Sequence, residues 1–122
     1  MLRVVEGVPE IPRGDYGEME VQITDEQGNE YKMQEGDYLT FSVRELPTKD
    51  SKLLIQIHSI TNTIVFNPAD TADVEPGQYS ADVEMNTADG KRFTIWCYIP
   101  EEKRDKGKVK NWKNFIVLPE VT

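Results

Sequence analysis

One cysteine and one histidine in 122 residues leave few of the usual tools of protein chemistry. The single Cys97 excludes an internal disulfide, and its place on the apolar side of an alternating run makes it a small inward-facing hydrophobe. Neither Cys-x-x-Cys nor His-x-His occurs, so the common zinc frameworks are excluded. His58 lies on the polar side of a strand-like run and reads as a surface residue rather than a general base. No apolar run approaches the roughly 20 residues that span a bilayer. The opening Met1-Leu2-Arg3-Val4-Val5-Glu6 holds no apolar core of signal-peptide length, so neither membrane insertion nor secretion is expected. Sustained 3.6-residue periodicity is missing as well, which leaves little room for helix. Positive charge is in short supply: 14 Lys/Arg face 22 Asp/Glu, net -8, too acidic a balance for nucleic acid to be the main partner.

What the chain does have is period-2 alternation punctuated by turn residues. The clearest case runs from Glu75 to Trp96. Pro76-Gly77 reads as a turn with glycine at positive φ. Tyr79, Ala81, Val83 and Met85 then alternate with Ser80, Asp82, Glu84 and Asn86, and Asp89-Gly90 supplies a tight hairpin turn before Phe93, Ile95 and Cys97 carry the apolar face back. Asp73, Gly77 and Tyr79 match a tyrosine corner, in which a tyrosine near the start of a strand bonds back to upstream backbone. Ala81 stands where antibody domains carry a cysteine, so such a sandwich would close without a disulfide.

The rest of the chain follows the same grammar. Leu2 to Val8 suits an edge strand, ended by Pro9 and Pro12. Met19, Val21 and Ile23 form one face of a second hairpin, turned at Asp25 to Asn29 and resumed at Tyr31 and Met33. Leu39, Phe41 and Val43 mark another strand, Lys52 to Ile60 and Thr63 to Phe66 two more, and Trp112, Phe115, Val117 and Val121 the last. Pro68 to Val74 fits one helical turn with Val74 as an inward anchor. About eight short strands at roughly 8–12-residue spacing predict an all-β, immunoglobulin-like antiparallel β-sandwich of about 7–9 strands. Residues 1–122 form a single domain, its core drawn from Val21, Ile23, Phe41, Val43, Ile55, Tyr79, Val83, Phe93, Ile95 and Phe115.

Charge is distributed unevenly. Residues 1–90 carry 6 Lys/Arg against 18 Asp/Glu, whereas residues 91–122 carry 8 against 4. The basic part centres on residues 100–111, expected to be a mobile charged loop. Lys103, Arg104, Lys106, Lys108, Lys110 and Lys113, with Trp112 as an apolar anchor, are the predicted protein interface. No catalytic residue and no cofactor are predicted, since no nucleophile, base or spaced carboxylate pair stands out. Asp70, Asp73 and Glu75 read as a capped turn and solvated rim rather than a calcium loop. Arg13-Gly14-Asp15 spells the integrin-recognised tripeptide but reads as a turn that launches a strand, as Gly36-Asp37 does. Trp96, Trp112, Tyr98 and Tyr38 keep open an alternative, a carbohydrate-binding or adhesin-like module with an aromatic platform.

The ordered set of motifs carries a family likeness. Arg13-Gly14-Asp15, then Met19 to Asp25, Gly28-Asn29-Glu30-Tyr31, Gly36-Asp37-x-Leu39-x-Phe41-x-Val43-Arg44, Asp70-Thr71, Pro76 to Val83, Asp89-Gly90, Thr94-Ile95 and Phe115-Ile116-Val117 together resemble domains of tailed-bacteriophage baseplate upper proteins and related prophage proteins. The resemblance implies an immunoglobulin-like fold and a non-enzymatic structural role in a virion, in the baseplate, the tail or a head accessory, assembled in the bacterial cytoplasm. Its partners would be other virion proteins or further copies of itself, with no nucleic acid and no membrane.

Overall fold

The computed structural model describes residues 2–5, 8–25, 27–46, 48, 50–97 and 114–120, with 3–5 and 95–97 as backbone alone. Within them lie β1 (Arg3–Val5), β2 (Val8–Pro12), β3 (Gly17–Glu20), β4 (Tyr38–Arg44), β5 (Leu53–Ser59), β6 (Thr63–Phe66), α1 (Pro68–Thr71), β7 (Gly77–Asn86), β8 (Arg92–Cys97) and β9 (Phe115–Leu118). The chain is an all-β sandwich of one large sheet and one small one.

β7 is the spine of the large sheet, which runs β1-β2-β9-β7-β4-β5 with β8 also on β7. One edge of β7 pairs with β4, from Tyr38 opposite Asn86 to Arg44 opposite Ser80. Its other edge is divided: β9 takes Gly77 to Tyr79 and β8 takes Asp82 to Asn86. Asn114 bridges the gap between them. Its buried side-chain amide accepts the Ala81 N–H (2.6 Å) and donates to the Ala81 carbonyl (2.8 Å), which continues the ladder between the described pairings with β9 and β8. Among the described strands the expected antiparallel order has one exception, because β2 runs parallel to β9, with Glu10 opposite Ile116.

The small sheet, β3 with β6, covers the inner face of the large one. Alternation decides which side chains meet: Leu39, Phe41 and Val43 from β4, Val83 from β7, and Ile64 and Phe66 from β6 are all fully buried. Three rings form the centre. Phe41 meets Phe66 edge-on at 5.3 Å between centroids and Phe115 at 5.6 Å, while Phe66 and Phe115 stack at 5.7 Å. Val74 closes the core from the turn after α1.

Several expectations need correction. Phe93, expected in the core, is 45% exposed. It stands opposite buried Met85 but borders an open concavity, and a register shift after Thr94 leaves Ile95 as an extra residue, so Trp96 stands opposite buried Val83 and Cys97, expected to face inward with Phe93, stands opposite Asp82. Tyr79 is only partly buried against the core, and the side chain of Ile95 lies outside those described. Gly77 is a strand residue opposite Val117, outside the left-handed region of φ. The turn at Asp89-Gly90 spans three residues rather than two: Gly90 N–H bonds the Thr87 carbonyl, Thr87 N–H bonds that of Lys91, and Gly90 alone of the loop's residues is glycine, at φ 88°. The hairpin expected around Asp25 forms over a short span, with Thr24 bridged to Glu30, the Asp25 N–H on the Asn29 carbonyl (2.8 Å) and the Tyr31 N–H on that of Ile23 (2.9 Å), while residues 17–20 pair with β6.

Candidate protein-contact surface

β5 ends the large sheet, and among the described residues no strand lies against its outer edge. Its seven residues, Leu53 to Ser59, contain no Asp, Glu, Lys, Arg, Pro or Gly. They open a charge-free stretch that extends to Ala69, in a chain where 30% of residues are charged. The register shift between Val43 and Arg44 makes Leu54 an extra residue and pairs Leu53 with Arg44. Leu53 therefore shares the outer face with Arg44 and is 41% exposed. Beside it Leu46 is 48% exposed, held by a bond from its N–H to Ser51 Oγ (2.9 Å).

At the other end of β5 the apolar surface continues. Ile60 is 81% exposed and Tyr38 41%. The Tyr38 ring meets the His58 ring edge-on at 6.1 Å, and His58 Nδ1 lies 3.1 Å from Thr40 Oγ1. Tyr38, His58 and Ile60 line an open cavity of about 780 Å³ with Glu35 and Asp37. Its rim is built on a rigid turn: Asp37 N–H bonds the Gln34 carbonyl (3.0 Å), and Asp37 Oδ2 accepts both the Tyr31 hydroxyl (2.6 Å) and the Gln34 N–H (2.8 Å). The Tyr31 hydroxyl holds the Asp37 carboxyl below its ordinary pKa, and the same bond raises that of Tyr31.

A second concavity, about 510 Å³, opens where Phe93 is left uncovered, between Ile23, Tyr31 and Met85 with Asp25 at its margin. On the outer face of the large sheet, burial raises the Asp82 pKa, Glu84 adds to the rise and Arg44 opposes it. Arg44 Nε is buried there without a hydrogen-bond partner among the described residues.

Of the predicted interface, Lys103, Arg104, Lys106, Lys108, Lys110, Trp112 and Lys113 lie outside the described residues, as do the loop 100–111 and Tyr98, while Trp96 and Cys97 are described as backbone alone. The tyrosine-corner residues are all described. The Tyr79 hydroxyl donates to the Glu75 carbonyl, Gly77 offers its bare Cα to the Tyr79 ring, and Asp73 is exposed in the preceding turn. Asp70 acts as a cap, accepting the Asn67 N–H (2.7 Å), and no metal-holding cluster occurs among the described residues. The Arg13-Gly14-Asp15 turn is tied into the fold: Gly14 N–H bonds buried Thr71 Oγ1 (2.8 Å), and Arg13 Nε pairs with Glu120 (3.0 Å). Alternation alone did not single out β5 as an edge, although the charge-free run from Leu53 to Ala69 is visible in the sequence. Comparison with family models, with curated proteins and with solved structures finds no match for this chain.

Proposed function

We propose that this chain is a non-enzymatic assembly protein of a phage or prophage virion, a component of baseplate, tail or head that acts through protein–protein contacts. The observation that carries the assembly reading is the open, charge-free β5 edge with exposed apolar residues at both ends. An unguarded sheet edge is a template for strand pairing, and exposed apolar clusters mark protein contacts in soluble domains. The virion assignment is supported by the ordered resemblance from Arg13 to Val117. Mass spectrometry of particles purified from an induced lysogen that carries the gene tests it. The protein is expected at fixed stoichiometry in the particles, with assembly failing when the gene is deleted. Its absence from particles that assemble and infect normally would overturn the assignment.

The cleft beside Phe93 favours a second reading, a ligand-binding sandwich, because an exposed aromatic beside Tyr31 offers a stacking surface. Glycan-array binding that disappears in Phe93→Ala would place this reading first.

A further inference from the structure

Natural edge strands are guarded by charge, proline or brevity. At one end of the large sheet β1 is three residues long. At the other, β5 is seven residues long and carries none of the guarding residue types. Its single irregularity, the bulge at Leu54, lies near one end and leaves Ile55 to Ser59 regular. A chain of net charge -8 repels its own copies, and β5 opens the longest stretch of the sequence free of formal charge.

The edge is also complementary to itself. When a strand pairs antiparallel with its own copy, the twofold axis passes midway between one residue and its own counterpart. With Gln56 on the axis, Gln56 faces its own counterpart, amide to amide, on the exposed side. Ile55 then faces Ile57 of the second copy on the side where Ile55 is buried, so the two cores become continuous across the axis. The ends match in the same register. The Leu46 and Leu53 end of one copy approaches the Tyr38 and Ile60 end of the other, and does so twice by symmetry. Of the six large hydrophobic residues exposed among those described, these are four. Lys52, just before β5, comes towards Glu35 on the rim of the second copy's cavity, an opposite-charge match at each end.

We propose that β5 is a homodimerisation strand that joins two copies edge to edge, antiparallel and centred on Gln56, into one continuous sheet. This rests on the assembly reading above and names its first partner as a second copy of the chain. The test is sedimentation equilibrium of the full chain as wild type, Gln56→Lys, Gln56→Glu, an equimolar mixture of the two variants, and Ile60→Asp. The wild type is expected to dimerise. Each single Gln56 variant places like charges face to face on the axis and should dissociate about tenfold or more readily, while the mixture should recover the dimer as a heterodimer. Ile60→Asp, outside the strand and exposed, should also weaken it. Because Gln56 is exposed, circular dichroism and melting of the monomer should be unchanged. A wild type that stays monomeric up to about 1 mM overturns the proposal. So does a dimer that neither Gln56 charge nor Ile60→Asp weakens, since its contact then lies elsewhere. A monomer in solution that is nonetheless a stoichiometric particle component sinks the self-pairing alone and assigns β5 to another virion protein's strand.

Discussion

Asn114→Ala should be among the most damaging polar substitutions in this chain. The side chain is 1% exposed and serves both backbone groups of Ala81 on the stretch of the β7 edge between its pairings with β8 and β9. Truncation leaves a buried N–H and a buried carbonyl without partners, at about 1–3 kcal/mol each, or about 2–6 kcal/mol in total. Water entering the vacated volume would bring the loss towards the lower end. For a domain of this size each kcal/mol corresponds to roughly 3–5 °C, so a melting temperature lower by about 10 °C is expected. Urea denaturation with an unchanged m-value would assign the loss to the native state. Hydrogen exchange adds a local readout, because the Ala81 amide should lose protection beyond the global change. Asn114→Asp provides a second arm. Its carboxylate can accept the N–H but faces the Ala81 carbonyl with no donor, whereas the protonated acid can donate. The folded state would therefore raise the aspartate pKa, so the stabilising bond is present below the ordinary carboxylate range and is lost as pH rises through the folded value. A loss under about 0.5 kcal/mol in Asn114→Ala, or an Ala81 amide whose protection does not change, would refute the bridging role.

Three further outcomes follow from the packing and the electrostatics. Phe41→Ala empties the site that two other rings contact and should cost about 3–5 kcal/mol by chemical denaturation; a cost below about 1 kcal/mol would contradict the three-ring core. Tyr79→Phe removes the hydroxyl that donates to the Glu75 carbonyl and should cost about 0.5–1.5 kcal/mol with the circular dichroism spectrum unchanged; an unaltered stability would show the corner to be energetically idle. Asp82→Asn should stabilise the protein at pH 7. Burial raises the folded pKa of Asp82, so its favourable contribution exists below the ordinary value of 3.8 and is lost as pH rises through the folded pKa. The variant's advantage should shrink in melts taken near pH 3, and an advantage that is the same at both pH values would assign the effect to packing.

Much of this fold is written locally. Alternation in Tyr38–Arg44 and Gly77–Asn86 states which residues share a face, and a glycine placed as Gly90 is states where the chain can reverse, because side-chain direction and φ are properties of neighbouring residues. The same holds for Pro68–Thr71 with its Asn67 and Asp70 cap, and for a tyrosine that reaches back only to Glu75. The long gap in charge from Leu53 to Ala69 was legible too, but its meaning was not, since nothing in the run says whether β5 lies inside the sheet or at its rim. Tertiary structure decided that. It also ran β2 parallel to β9, divided one edge of β7 between β8 and β9, and gave Asn114 a role that no local pattern marks. Phe93 and Leu53 show the physical reason. Alternation fixes a side chain's direction, while its burial depends on whether a second layer extends that far and on where a bulge shifts the register, and both depend on residues distant in the chain.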